Sequence, residues 1–235
     1  MGKKYITFSF DDGVTQDARL IKLLDKYGLK GTFNLNSALF GLKGGWDIGG
    51  KWISHNKVSP LVVKDLYVGH EVAVHTLSHP NLTGESDEAV EYQVEEDRKQ
   101  LSRLTGYEVE GMAYPCGGVN NDDRVATIIK EKTGVRYART ITSTYSFDLP
   151  KNIYRLDPTV HIGEADKMFE LAEKFLALET DTPQIFFVWG HAHEFDILDD
   201  MTWGRVEELC KMVSGKKDIF YATNKEALAW LHSKE

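Results

Sequence analysis

The strongest constraint on the fold of this 235-residue chain is a hydrophobic period that switches repeatedly between two and 3.6 along its length. Tyr5 to Phe10 reads as a β-strand, Gln16 to Tyr27 as a helix with Leu20, Leu23 and Leu24 on one face, and Gly31 to Leu35 as a strand again. Further strands are expected at Glu71 to His75, Gly111 to Tyr114, Val135 to Thr140, Gln184 to Val188 and Asp218 to Tyr221. Helices are expected near Ala89 to Leu104, Asp122 to Lys132, Ala165 to Leu178 and Trp203 to Val213. Such βα repetition favours a largely parallel sheet or barrel covered by helices. With 42% hydrophobic residues the chain can bury one sizeable core, so residues 1–235 are expected to form a single domain.

The polar residues that interrupt this pattern fall where expected strands end. Phe10-Asp11-Asp12-Gly13 follows the first strand, His75-Thr76-Leu77-Ser78-His79 follows another, and Trp189-Gly190-His191 follows the apolar run Ile185-Phe186-Phe187-Val188. In barrels of this kind the loops at the C-terminal ends of the strands share one face and converge on one substrate. Asp12, His75 and His79 offer one carboxylate and two imidazoles, a set that suits a borderline divalent ion such as zinc and leaves positions open for water and substrate. Asp11 and His191 remain as base and acid. A lone His-x-x-x-His pair is weak evidence of a metal site; Asp12 is what strengthens it. Pro80 favours an extended backbone at His79.

These clusters, in this order, resemble the polysaccharide deacetylase family, carbohydrate esterase family four, over roughly residues 5 to 195. The resemblance implies a distorted (β/α) barrel of seven strands with its active site at the C-terminal strand ends. It implies Asp12, His75 and His79 as metal ligands, Asp11 as base and His191 as acid. Pro115-Cys116-Gly117 matches the end of the family's Arg-x-Pro-x-Gly signature, which gives the Cys116 N–H to the developing oxyanion, but Ala113 stands where the arginine is expected. That arginine pairs with the base in the family, so Arg139 or Arg155 is expected to replace it. The family's terminal Leu-x-His becomes Trp189-Gly190-His191. Glu194, Asp196, Asp148 and Asp157 are candidates to orient His191, with Asp157 the choice by motif. His193 competes with His191 for the acid role.

Other residues are read from their local setting. Gly41 to Ser59, with Gly44-Gly45, Gly49-Gly50, Trp46 and Trp52, reads as an insertion loop whose indoles either stack on sugar rings or cap the core. Asn34, Asn36, Trp46, Tyr114 and His161 are candidate substrate contacts, although His161 also reads as a structural histidine. His55, His70 and His232 have no partner in sequence and read as solvated, and the acidic run Glu85 to Asp97 reads as the exposed face of a helix.

The formal charge of -8 and the absence of Lys or Arg blocks argue against nucleic acid or an anionic membrane as partner and favour a neutral or cationic carbohydrate. Two cysteines, Cys116 and Cys210, are too few for a disulfide framework. With no export signal visible, the expected address is cytoplasmic as the sequence stands and extracytoplasmic if a leader has been removed. The expected activity is metal-dependent hydrolysis of N-acetyl groups on an amino-sugar polysaccharide or oligosaccharide. The alternatives are hydrolysis of a small cyclic amide or ureide and an inactive carbohydrate-binding relative.

Overall fold

A computed structural model describes residues 3–229. The chain runs β1 (Lys4–Asp11), α1 (Asp17–Lys26), β2 (Gly31–Leu35), a hairpin of β3 (Gly45–Ile48) and β4 (Lys51–Ser54), and a short α2 (Val63–Leu66). It continues through β5 (Glu71–Val74), α3 (Asp87–Thr105), β6 (Gly111–Ala113), α4 (Asp123–Lys132), β7 (Tyr137–Arg139), β8 (Val160–His161) and α5 (Ala165–Ala177). The last elements are β9 (Gln184–Gly190), α6 (Trp203–Val213), β10 (Ile219–Tyr221) and α7 (Asn224–Leu228).

Seven parallel strands are ordered β7-β6-β5-β2-β1-β9-β8, and β10 pairs beside β1 at Lys4 to Ile6. The sheet curls. Arg139 on β7 contacts Asp11 on β1 although β6, β5 and β2 lie between them in the sheet, and this is possible only across a concave face. Leu156 bridges to β7 at Arg139 while β8, a few residues on, pairs with β9, so one segment spans the gap between the two edges. This is the distorted (β/α) barrel expected from the alternation.

Both faces of β1 are buried, and they differ in chemistry. Ile6, Phe8 and Phe10 join the main apolar cluster with Leu20, Ile21 and Leu24 of α1, Met168 and Phe175 of α5, and Val206 and Leu209 of α6. On α1 it is Ile21 that is fully buried, with Leu23 only partly buried at the margin. Thr7 and Ser9 face inward instead. Thr7 Oγ1 donates to Asn224 Oδ1 at 2.8 Å, and Ser9 Oγ accepts from Asn34 Nδ2 at 2.9 Å and from Asn224 Nδ2 at 3.3 Å. A hydrogen-bonded polar column thus rises from α7 towards Asp11 and satisfies groups that would be costly to bury alone.

The segment expected as a loop from Gly41 to Ser59 is built around the antiparallel pair β3–β4. Gly49 (φ +61°) and Gly50 (φ +85°) make the turn, because both need the left-handed region that glycine enters freely. The hairpin thereby delivers His55 and Lys57 to the mouth of the sheet. The α3 face was also misread at its most important residue: Asp97 is buried, not exposed. Among the described residues, no helix is long and apolar enough to cross a membrane.

Candidate metal centre and active site

Asp11 and Asp12 end β1, and the chain reverses through Asp12 (φ +82°) and Gly13 (φ +60°). Thr76 (φ +67°), His79 (φ +64°) and Cys116 (φ +70°) also occupy the left-handed region, each in a loop that follows a strand of the sheet. Non-glycine residues there cost of order 1–3 kcal/mol each and persist where the surroundings over-determine them. His79 is therefore not the extended residue that Pro80 favours. Its N–H donates to Thr76 Oγ1 at 3.1 Å, and that tight turn brings Nε2 to 3.5 Å from Asp12 Oδ1.

His75 enters from the end of β5. A carbonyl only accepts, so the 2.8 Å contact of Nδ1 with the Ala113 carbonyl places the proton on Nδ1 and leaves Nε2 as the free donor atom. That Nε2 lies 4.0 Å from Asp12 Oδ1. Burial pushes the His75 imidazole down to about 4, more than the nearby Asp11 charge restores, so it is neutral and able to ligate. The backbone of His75 is held by Asp97, whose carboxyl accepts from the His75 N–H at 3.2 Å and from the Ser37 N–H at 2.8 Å. One ligand atom each from Asp12, His75 and His79 lie within 4.8 Å of one another, so the donor set and spacing fit a divalent ion.

Asp11 is sealed beneath this triplet. Arg139 Nη2 donates to both carboxylate oxygens at 2.5 Å, and Asn34 Nδ2 donates to Oδ1 at 2.8 Å. Burial alone would raise Asp11, but the Arg139 guanidinium, with His75 and His191, outweighs it and holds the carboxyl below its ordinary value. Arg139 is itself fully buried and lies over the Trp189 ring, 4.5 Å from its centroid. It takes the place left open by Ala113. Arg155 does not: it reaches outward to Asn121 Oδ1 at 2.7 Å and Asp123 Oδ1 at 2.8 Å.

On the opposite wall, His191 follows β9 across Gly190, where a Cβ would lie 2.2 Å from Ile162 Cγ2 and 2.9 Å from Glu194 Oε2. Only glycine fits. Glu194 folds back through a short 3-10 turn, its Oε2 accepting the His191 N–H at 2.8 Å and its Oε1 lying 3.4 Å from His191 Nδ1 in ion-pair geometry. Burial lowers the His191 pKa, but Glu194, with Asp11 and Asp12, more than offsets this and lifts it to about 9. Glu194, not Asp157, is thus the carboxylate at His191; Asp157 is drawn off by the Thr140 hydroxyl. His193 is driven down to about 4 by burial and by the neighbouring His191 and His55 charges, so of the two it is His191 that holds a proton near neutrality.

Several expected substrate contacts are engaged within the protein. Asn34 is committed to Asp11 and Ser9, and Asn36 Nδ2 donates to the His75 and Thr76 carbonyls at 2.5 and 3.0 Å, fastening the His75–His79 loop. Tyr114 is buried with its hydroxyl on the Tyr154 carbonyl at 2.7 Å. His161 Nδ1 accepts from the Gly163 N–H at 3.0 Å, so its Nε2 carries the proton and faces Glu194 Oε1 at 3.3 Å. It supports Glu194 and leaves no ring nitrogen for a ligand. Trp46, 44% exposed, stays available at the mouth. The Cys116 thiol donates to the His79 carbonyl at 3.5 Å, which sets its backbone beside the metal-facing histidine. His55, read as solvated, lies 3.1 Å from Asp12 Oδ2, and Lys57 Nζ lies 3.2 Å from Oδ1. His70 is buried, its Nδ1 accepting from the Gly31 N–H at 3.1 Å; His232 lies outside the described residues.

The polysaccharide deacetylase family matches residues 1–138, more than half of the chain. The chain belongs to that family. Over 120 residues it is 30% identical to the peptidoglycan-N-acetylglucosamine deacetylase PgdA of Listeria monocytogenes, a match that covers 50% of this chain and 22% of that protein. The chain therefore spans well under half the length of that relative. Its fold is similar to the Xyl-CE4 domain of a multidomain xylanase from the hindgut metagenome of Trinervitermes trinervoides, with TM-score 0.57, 13% identity and coverage of 99% and 92% of the two chains. It is similar also to a family 4 acetyl xylan esterase from Clostridium thermocellum in complex with a cobalt ion, with TM-score 0.55, 13% identity and coverage of 96% and 91%.

Proposed function

We propose that this chain is a metal-dependent hydrolase that removes N-acetyl groups from an amino-sugar glycan, with zinc held by Asp12, His75 and His79. The observation that carries this reading is the opposition of two complementary groups across the triplet. Asp11 is held by the Arg139 guanidinium at 2.5 Å, and His191 Nδ1 faces the Glu194 carboxylate at 3.4 Å. A divalent ion held there supplies Lewis acidity towards the attacking water and the acetyl oxygen.

The chain's own residues do the proton work. Asp11 accepts a proton from the attacking water, and the Arg139 and Asn34 bonds hold its carboxylate in one orientation while it does so. The Cys116 N–H is the candidate donor to the oxyanion, where a main-chain dipole needs no particular side chain. His191 then protonates the departing nitrogen, a step that amide cleavage requires because an amine anion leaves poorly. Trp46 at the mouth offers an exposed ring face for a sugar. Arg139 supplies the guanidinium that Ala113 lacks, so the departure at Ala113 does not count against a deacetylase reading.

The test is acetate release from N-acetylglucosamine oligomers by zinc-loaded protein, before and after chelation. His191→Ala is expected to lower turnover by about 10²–10⁴-fold while zinc content stays unchanged. Absence of acetate from the loaded protein, or full turnover after complete chelation, overturns the reading.

A further inference from the structure

The Asp12 carboxylate has histidines on both of its oxygens. Oδ1 lies towards His79 Nε2 at 3.5 Å and His75 Nε2 at 4.0 Å, and Oδ2 lies 3.1 Å from His55 Nε2 and 4.0 Å from His191 Nε2. His193 lies beside His55, and its ring meets the His55 ring edge-on, centroids 4.8 Å apart and planes at 88°. One ligand atom each from Asp12, His55 and His193 lie within 4.8 Å of one another. His193 is only 9% exposed, and its Nδ1 is buried with no hydrogen-bond partner among the described residues. A buried imidazole nitrogen without a partner carries an uncompensated desolvation cost. The Trp46 ring packs on both imidazoles, 4.7 Å from His55 and 5.4 Å from His193 between centroids, and confines them.

We propose that Asp12, His55 and His193 form a second site for a borderline divalent ion such as Zn²⁺ or Co²⁺, with the Asp12 carboxylate bridging it to the first. This rests on the reading of Asp12 as a ligand of the first ion. Two imidazoles and one carboxylate oxygen are the donor types that such ions prefer. Bridged ions of this kind sit about 3.5–4 Å apart. The second ion shares a carboxylate whose charge is already partly neutralised, so it binds more weakly than the first.

The experiment titrates chelator-stripped protein with Zn²⁺ by calorimetry, checks stoichiometry by elemental analysis, and repeats the titration with Co²⁺ followed by absorption. Wild type is expected to bind two ions per chain in two steps, and His193→Phe and His55→Gln each one, with the tight step retained. Circular dichroism without metal verifies that each variant is folded, and either variant alone suffices if the other is not. The proposal is overturned if wild type binds a single ion, or if a folded His193→Phe or His55→Gln protein still takes up two. His79→Ala separates the two readings: loss of the tight step supports the first site, whereas retention of that step defeats it whatever the other variants do.

Discussion

Ile6, Phe8 and Phe10 of β1 point into a layer of apolar helix side chains, whereas Thr7, Ser9 and Asp11 of the same strand point into the concave side of the sheet and meet Asn224, Asn34 and Arg139. Both sets are buried to a similar degree, so exposure does not distinguish them. The outer set is held by area removed from water, a non-directional contribution that tolerates small shifts. The inner set is held by directed hydrogen bonds and one ion pair, which fix where the Asp11 oxygens lie. A single strand thus provides apolar packing on one face and directed polar geometry around Asp11 on the other.

Asp11→Asn gives the largest test of that division. Turnover per folded molecule is expected to fall by about 10²–10⁴-fold with metal content little changed, while stability falls by about 3–5 kcal/mol because Arg139 stays buried without its anion, as measured by acetate release, elemental analysis and urea melts. A loss of fold instead would show that the inner face is chiefly structural. Arg139→Met breaks the same pair from the other side, because it leaves the Asp11 carboxylate buried without its cation. A destabilisation of about 3–5 kcal/mol is expected in urea melts, and adding Asp11→Asn should recover part of it through coupling.

Phe8→Ala probes the other face. A loss of about 3–5 kcal/mol is expected from the cavity it leaves, while turnover per folded molecule stays at the wild-type value. A change in turnover there would break the comparison.

A buried carboxylate also lies on the apolar side, Asp17 at the start of α1, which accepts from the Tyr67 hydroxyl at 2.7 Å while its Oδ1 is buried with no hydrogen-bond partner among the described residues. Burial raises its pKa to about 8. The folded chain therefore keeps a proton that the unfolded chain has released above its ordinary carboxylate range, and stability falls as pH rises from about 4 towards 8. Asp17→Asn removes this slope. Its stability relative to wild type should increase by about 1.4 kcal/mol between pH 6 and pH 7, read from urea melts at the two values. A flat difference would show that Asp17 is ionised in the fold.

Much of this was legible locally. Gly31–Leu35 and Trp203–Val213 were read with the bounds the structure gives, and Asp12, His75 and His79 were recognisable because each follows a strand. Glu194 was visible as one of several nearby carboxylates, yet motif order favoured Asp157, since no spacing rule indicates which acid a turn folds back. His55 and Lys57 were missed because a Gly-rich stretch reads as a loop, and the β3–β4 hairpin that returns them to Asp12 leaves only a weak alternation in the sequence.

The order of residues by itself determined the βα alternation, the positions of the strand ends and the placing of Asp12, His75 and His79 just after strands, because each depends on periodicity or on neighbours a few residues apart. The curl of the sheet decided the rest. It brought Arg139 across three strands to Asp11 and placed His79 and His55 on the two oxygens of the Asp12 carboxylate. Contacts between residues far apart in sequence depend on strand twist and packing accumulated over the whole sheet, which no local spacing encodes.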